Sequence, residues 1–136
     1  MNLVVSSQNA QVTVLYVQGS VDGESYGQLL VEGSGLVTRG TRCLILELTE
    51  CDYMSSAGLV ALNSIFKQMR DLTRSETNAS WATRNMLERA GELGPARQLV
   101  LVNPRSVVER VLSMAGFSSY VEIYPSLAQA LAAHRA

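Results

Sequence analysis

Two adjacent serines, Ser55 and Ser56, stand directly before an apolar, helix-patterned run, and they are the residues of this chain best placed to do chemistry. A serine hydroxyl attacks as a nucleophile only with a base in reach. The single histidine, His134, lies third from the C-terminal end, where a frayed tail is expected rather than an active site. A hydroxyl at a helix start has two other uses: it can cap the helix by accepting a backbone N–H, or it can receive a phosphoryl group. Asp22, Glu47, Glu50 and Asp52 fall near strand ends, where carboxylates can gather a magnesium ion. A phosphoryl-accepting receiver domain would close its central strand with an aspartate and place a lysine after a later strand. Here Leu48 closes that strand and no lysine follows Lys67, so the four carboxylates read as solvated charges. No Cys/His cluster has metal-ligand spacing and no GxxxxGK[ST] phosphate loop is present. The expectation is a protein without catalytic residues, metal or cofactor.

Composition narrows the classes further. The 136 residues suffice for one domain with a two- or three-layer core. They are 47% hydrophobic and 17% charged, with a net charge of −1. Phosphate backbones need a clustered basic surface, and scattered arginines with one lysine do not supply it, so no nucleic-acid partner is expected. The opening MNLVVSSQNA lacks the basic flank, apolar stretch and cleavage site of a signal peptide. No apolar run nears the roughly 20 residues of a membrane span. A cytoplasmic chain is expected. Cys43 and Cys51 then read as buried or half-buried free thiols at opposite ends of one strand.

The elements that must position the serines can be read on either side of them. Leu3 to Ser6 and Val12 to Val17, joined by a polar link, form a hairpin whose second strand is apolar on both faces. A weak helix over about 24–37 is opposed by Gly27, Gly33 and Gly35, each costing about 1 kcal/mol relative to alanine. Cys43 to Leu48 is the clearest strand. The helix starting near Ser56 presents Leu59, Leu62, Phe66 and Met69 as its apolar stripe. Leu99 to Val102 is a buried strand. Asn103 and Pro104 are expected to be the cap and first-turn proline of a helix through Val107, Val108, Val111 and Leu112, closed by Gly116. Val121 to Tyr124 is an edge strand, and Pro125-Ser126 opens an alanine-rich helix. The pattern is α/β: a mixed, mostly parallel sheet of about four or five strands with helices packed against it. One domain, 1–136, is expected. Arg70 to Arg97 exceeds the usual connection of about 2 to 6 residues. It is expected to be an insertion between the second helix and fourth strand, part mobile loop and part helix over Ser80 to Ala90. Trp81, Met86, Leu87 and Leu93 would line one side of it. Trp81 there either anchors a partner or a second copy of the chain, or folds back on the domain.

The segment Leu44 to Leu59 runs strand, polar turn, Tyr53-Met54, Ser55-Ser56, Ala57-Gly58-Leu59. It resembles the signature of STAS domains in bacterial anti-sigma factor antagonists. Leu99 to Asn103, with Val107, Leu112 and Gly116-Phe117, resembles that family's second half, and Gly19 to Asp22 its strand-to-helix corner. The likeness covers nearly the whole chain outside Arg70 to Arg97. It implies a STAS-like fold and a regulatory protein-binding function. The implied partner is an anti-sigma factor with serine kinase activity, bound by the unphosphorylated form and released when Ser56 is phosphorylated. ATP would be the partner's cofactor. Ser55 stands where many members have aspartate, and Ala57 replaces a common second serine. Asp22 matches a polar position near the partner surface, so the implied partner-binding set is Asp22, Ser55, Ser56, Ala57, Gly58 and Leu59. The resemblance also admits a serine phosphatase and a homodimer. Two alternatives stay open. One is a non-phosphorylated STAS subunit of a transporter or signalling complex, docking through Trp81. The other is a nucleotide- or small-anion-binding STAS domain using the cleft beside Ser56.

Elementary physics is consistent with a switch at Ser56. The first turn of a helix has unpaired N–H groups and the positive end of the dipole. A phosphate adds about −1.5 to −2 charges there without disturbing the fold, while a docked partner would have to desolvate or oppose the new charge. Gly58 is expected to let the helix start approach either the partner or a neighbouring strand closely.

Overall fold

A computed structural model of the chain describes residues 1–9, 11–77 and 97–134, with side chains described through 73 in the long central helix. Trp81, the helix expected over 80–90 and most of the expected insertion lie outside the described residues.

Strand β2 (Val12–Gln18) is apolar on both faces because both are covered. It pairs antiparallel with β1 (Asn2–Ser7), in the register Leu3 to Val17, as a short polar link requires. Its other side pairs parallel with β4 (Cys43–Glu47), Val14 opposite Ile45. β4 pairs parallel with β6 (Gln98–Val102), and β6 with the edge strand β7 (Glu122–Tyr124). The sheet order is β1-β2-β4-β6-β7. Helices α1 (Tyr26–Thr38), α2 (Ser56–Thr77), α3 (Ser106–Met114) and α4 (Leu127–Ala133) alternate with these strands. This is the mixed, mostly parallel α/β architecture that the sequence predicts.

Side-chain alternation along each strand divides the core in two. Leu15, Val17, Leu44, Leu46, Leu99 and Leu101 pack with Leu29, Leu36, Leu62, Ile65, Met69, Val108 and Leu112, which come from α1, α2 and α3. Val12, Val14, Cys43, Ile45, Val100 and Val102 face the other way, with Leu127, Ala130 and Leu131 of α4. Cys43 and Cys51 are buried and free.

Several local expectations change. The buried stripe of α2 is Gly58, Ala61, Leu62, Ile65 and Met69, while Leu59 and Phe66 flank it half-buried. The reason is the crossing with α1. There Gly33 lies so close to the Ile65 side chain that a methyl group at 33 would collide with it. Gln68 Nε2 donates to Ser34 Oγ (2.8 Å) across the same contact. Glycine at 33 therefore serves packing rather than breaking the helix. Residues 70–77 of the expected insertion continue α2. Asn103 and Pro104 do not cap and open α3, which starts at Ser106. Asn103 takes a left-handed backbone (φ 49°) that asparagine tolerates. Its N–H donates to Tyr124 O (2.8 Å), closing the end of the sheet. Gly116 ends α3 in the left-handed conformation expected of it (φ 80°).

Candidate functional site

Two short strands, too brief to show any periodicity, build the site. β3 (Ser20–Val21) and β5 (Tyr53–Met54) form a parallel ribbon outside the main sheet, with Ser20 opposite Tyr53 and Val21 opposite Met54. Gly19 N–H donates to Glu50 O (2.9 Å), Asp52 N–H to Gly19 O (3.2 Å) and Ser55 N–H to Val21 O (2.8 Å). The ribbon therefore sets the corner holding Asp22 beside Ser55 and the start of α2.

Gly58 is buried beneath this corner. A Cβ there would stand 2.6 Å from Met54 Cγ and 3.0 Å from Val21 Cγ1. Of the two close approaches expected of Gly58, the structure shows the one to the neighbouring strands. The lost side chain lets the first turn of α2 rest directly on β3 and β5.

Ser56 is exposed in that first turn, Ala57 is half-buried, and Leu59 lies at the margin of the core. The first bond of the helix runs from Leu59 N–H to Ser55 O (3.2 Å). Ser55 occupies the capping place, yet its hydroxyl caps nothing: Ser55 Oγ is buried without a hydrogen-bond partner. Capping, one of the two uses open to these serines in the sequence, is not made by Ser55.

Asp22 is spent locally. Its Oδ1 accepts from Glu24 N–H (3.0 Å), Ser25 N–H (3.2 Å) and the Ser25 hydroxyl (3.2 Å), while Asp22 N–H donates to Ser25 Oγ (3.0 Å). This is a reciprocal cap on the turn leading into α1. The Glu24 N–H, aided by Ser25, holds the carboxyl below the usual carboxylate range.

Sequence reasoning missed the other wall of the site. Tyr53, Met54, Ser55, Ser56 and Leu59 share a hollow of about 330 Å³ with Val111 and Met114 of α3 and with Ala115 just past its end. Met114 is 82% exposed and Tyr53 47%, so an apolar rim stands open beside the Ser56 hydroxyl. The only hint in the sequence is that Met114 falls off the buried Val108–Leu112 face of its helix. Arg105 ties the two walls, with Nε donating to Thr49 O (2.9 Å) and the guanidinium 3.1 Å from the Asp52 carboxylate. Asn103 Nδ2 adds a bond to Thr49 Oγ1 (3.0 Å).

The remaining polar residues do not assemble a reaction centre. Glu47 accepts from Thr49 N–H (2.7 Å), and no metal-binding group of three or more His, Cys, Asp or Glu occurs among the described residues. His134 Nε2 pairs with Glu122 (2.7 Å) at the β7 edge, and neither residue lines the hollow. A wider groove of about 770 Å³ runs along β7 between Glu109 and Tyr124, and it gathers none of the residues that the sequence singles out. No helix among the described residues is long and apolar enough to cross a membrane.

No curated protein sequence matches the chain. Among solved structures, an anti-sigma factor antagonist from Mycobacterium paratuberculosis superposes with a TM-score of 0.72 at 19% identity, covering 99% of this chain and 94% of the other. The Bacillus cell fate determinant SpoIIAA is similar in two forms. The unphosphorylated form has a TM-score of 0.67 at 14% identity, with 96% and 93% covered. The phosphorylated form has 0.62 at 13%, with 96% of each chain covered. At such identities the likeness speaks for the fold. The model of the STAS domain matches residues 4–94, from β1 past the end of α2, and on that match the chain belongs to the STAS domain family.

Proposed function

We propose that this chain is a regulatory protein-binding module, an anti-sigma factor antagonist rather than an enzyme, working in the cytoplasm as a single STAS domain whose expected insertion starts after the α2 residues 70–77 and ends by 97. In its unphosphorylated form it captures an anti-sigma factor that is also a serine kinase. That partner transfers the γ-phosphoryl group of its own ATP to Ser56 Oγ; the hydroxyl proton and ADP leave, and capture ends. A serine phosphatase would restore the starting form.

The observation behind this reading is the exposed Ser56 hydroxyl in the first turn of α2, open beside an apolar rim. Tyr53, Leu59 and Met114 offer a partner the apolar contact that binding needs, within reach of one modifiable group. A phosphate on Ser56 would put about −1.5 to −2 charges against that contact. A bound partner would have to desolvate it, and every 1.4 kcal/mol weakens affinity about tenfold. The fold itself has no need to move.

The test is capture from native lysate by wild type, Ser56→Ala and Ser56→Asp, with identification by mass spectrometry and a phosphopeptide search. A protein with a histidine-kinase-like ATPase fold is expected on the first two and not on the third, with phosphate on Ser56. Equal capture by all three overturns the proposal.

A further inference from the structure

Two buried side-chain polar atoms among the described residues lack a hydrogen-bond partner: Ser55 Oγ and Arg70 Nε. Arg70 Nε lies 3.7 Å from the Asp71 carboxylate, so its charge is at least opposed. Ser55 Oγ has no such compensation, and it is sealed from water. A hydroxyl held in this way destabilises the fold, and alanine would remove the penalty. Its position gives it a use. Ser55 precedes Ser56, both line the same hollow, and the Ser55 N–H bond to Val21 O fixes its backbone. The N–H groups of Ser56, Ala57 and Gly58 lie ahead of the first bond of α2, from Leu59 N–H to Ser55 O, and have no acceptor within the helix. The nearby carboxylates are engaged, Asp22 by its own turn and Asp52 by Arg105.

We propose that Ser55 is a positioning residue for the phosphorylated state, its hydroxyl turning from its buried position toward the hollow and donating to a phosphoryl oxygen on Ser56 alongside the free N–H groups of the first turn. The phosphoryl group is then held against the helix end, over the hollow that a partner would occupy. The inference rests on Ser56 as the acceptor but not on the identity of any kinase.

The test uses the full chain with phosphoserine installed at position 56 by genetic encoding, alone and combined with Ser55→Ala or Ser55→Thr. Phosphorus NMR titration reads the second ionisation of the phosphate, normally near about 6. The expected value lies below that with Ser55 present. Ser55→Ala raises the proton affinity about threefold, the loss of one donor to the dianion, and Ser55→Thr keeps it low. In the unphosphorylated protein Ser55→Ala leaves the melting temperature unchanged or raised, because it deletes a hydroxyl that bonds nothing. An unchanged titration in Ser55→Ala overturns the proposal. So does an equal fall in melting temperature with and without the phosphate, which would make the role structural. Should no kinase ever act on Ser56, the function proposed above falls while this titration still reports on Ser55, so the two failures are distinct.

Discussion

Replacing Gly58 with alanine tests whether the first turn of α2 is seated on β3 and β5 as tightly as the geometry requires. The new methyl would sit 2.6 Å from Met54 Cγ and 3.0 Å from Val21 Cγ1, well inside ordinary carbon contact. Met54 and Val21 are both fully buried, so neither can retreat into solvent, and Val21 is stiff because it branches at Cβ. Overpacking of this kind costs about 1 to 3 kcal/mol. Alanine recovers at most about 1 kcal/mol of helix propensity, and less in a first turn. The expected net loss is about 1 to 2 kcal/mol, a fall of about 3 to 10 °C in melting temperature for a chain of this size. Gly27→Ala is the matched control, since nothing lies within 4 Å of its added Cβ. It should gain up to about 1 kcal/mol from the same propensity term. Urea denaturation followed by circular dichroism measures both. If Gly58→Ala proves as stable as the wild type, the close approach is not what demands glycine, and the account of how Ser56 is positioned fails with it.

Two pH dependences follow from the ionisable groups. The Asp22 carboxyl is held low by the Glu24 and Ser25 N–H groups. Its stabilisation is complete above the unfolded carboxyl value of about 3.9 and is lost as pH falls through the lower folded value. Wild type should therefore lose more stability than Asp22→Asn between about pH 5 and pH 2, read from urea midpoints; equal acid slopes would remove the carboxyl from the cap. At Cys43, burial first and then the Glu122 carboxylate push the thiol up to about 12. That contribution is complete below the unfolded thiol value of about 8.5 and is lost as pH climbs toward the folded one. Cys43→Ala should flatten the alkaline side of the stability curve, and maleimide should label Cys43 at neutral pH only after unfolding. Ready labelling of the native protein would contradict its burial.

The identities of the main strands and helices were legible because each follows a local rule. Val12 to Val17 and Cys43 to Leu48 are apolar in unbroken runs, and the helices repeat their apolar residues at three and four. Linking these elements in order leaves a mostly parallel sheet as the outcome, and the run Tyr53 to Leu59 marks the candidate site. Packing decided the rest. Ile65 rather than Phe66 is central to α2 because α1 crosses there at Gly33. Asn103 closes the sheet rather than capping α3 because Tyr124 O is waiting for its N–H. The β3–β5 ribbon, the hollow shared by Tyr53 and Met114, and the partnerless Ser55 hydroxyl all join residues distant along the chain. Local sequence sets which backbone groups can bond within a few residues; which side chains meet, and which polar atom is left without a partner, depends on how separate elements come to rest against one another.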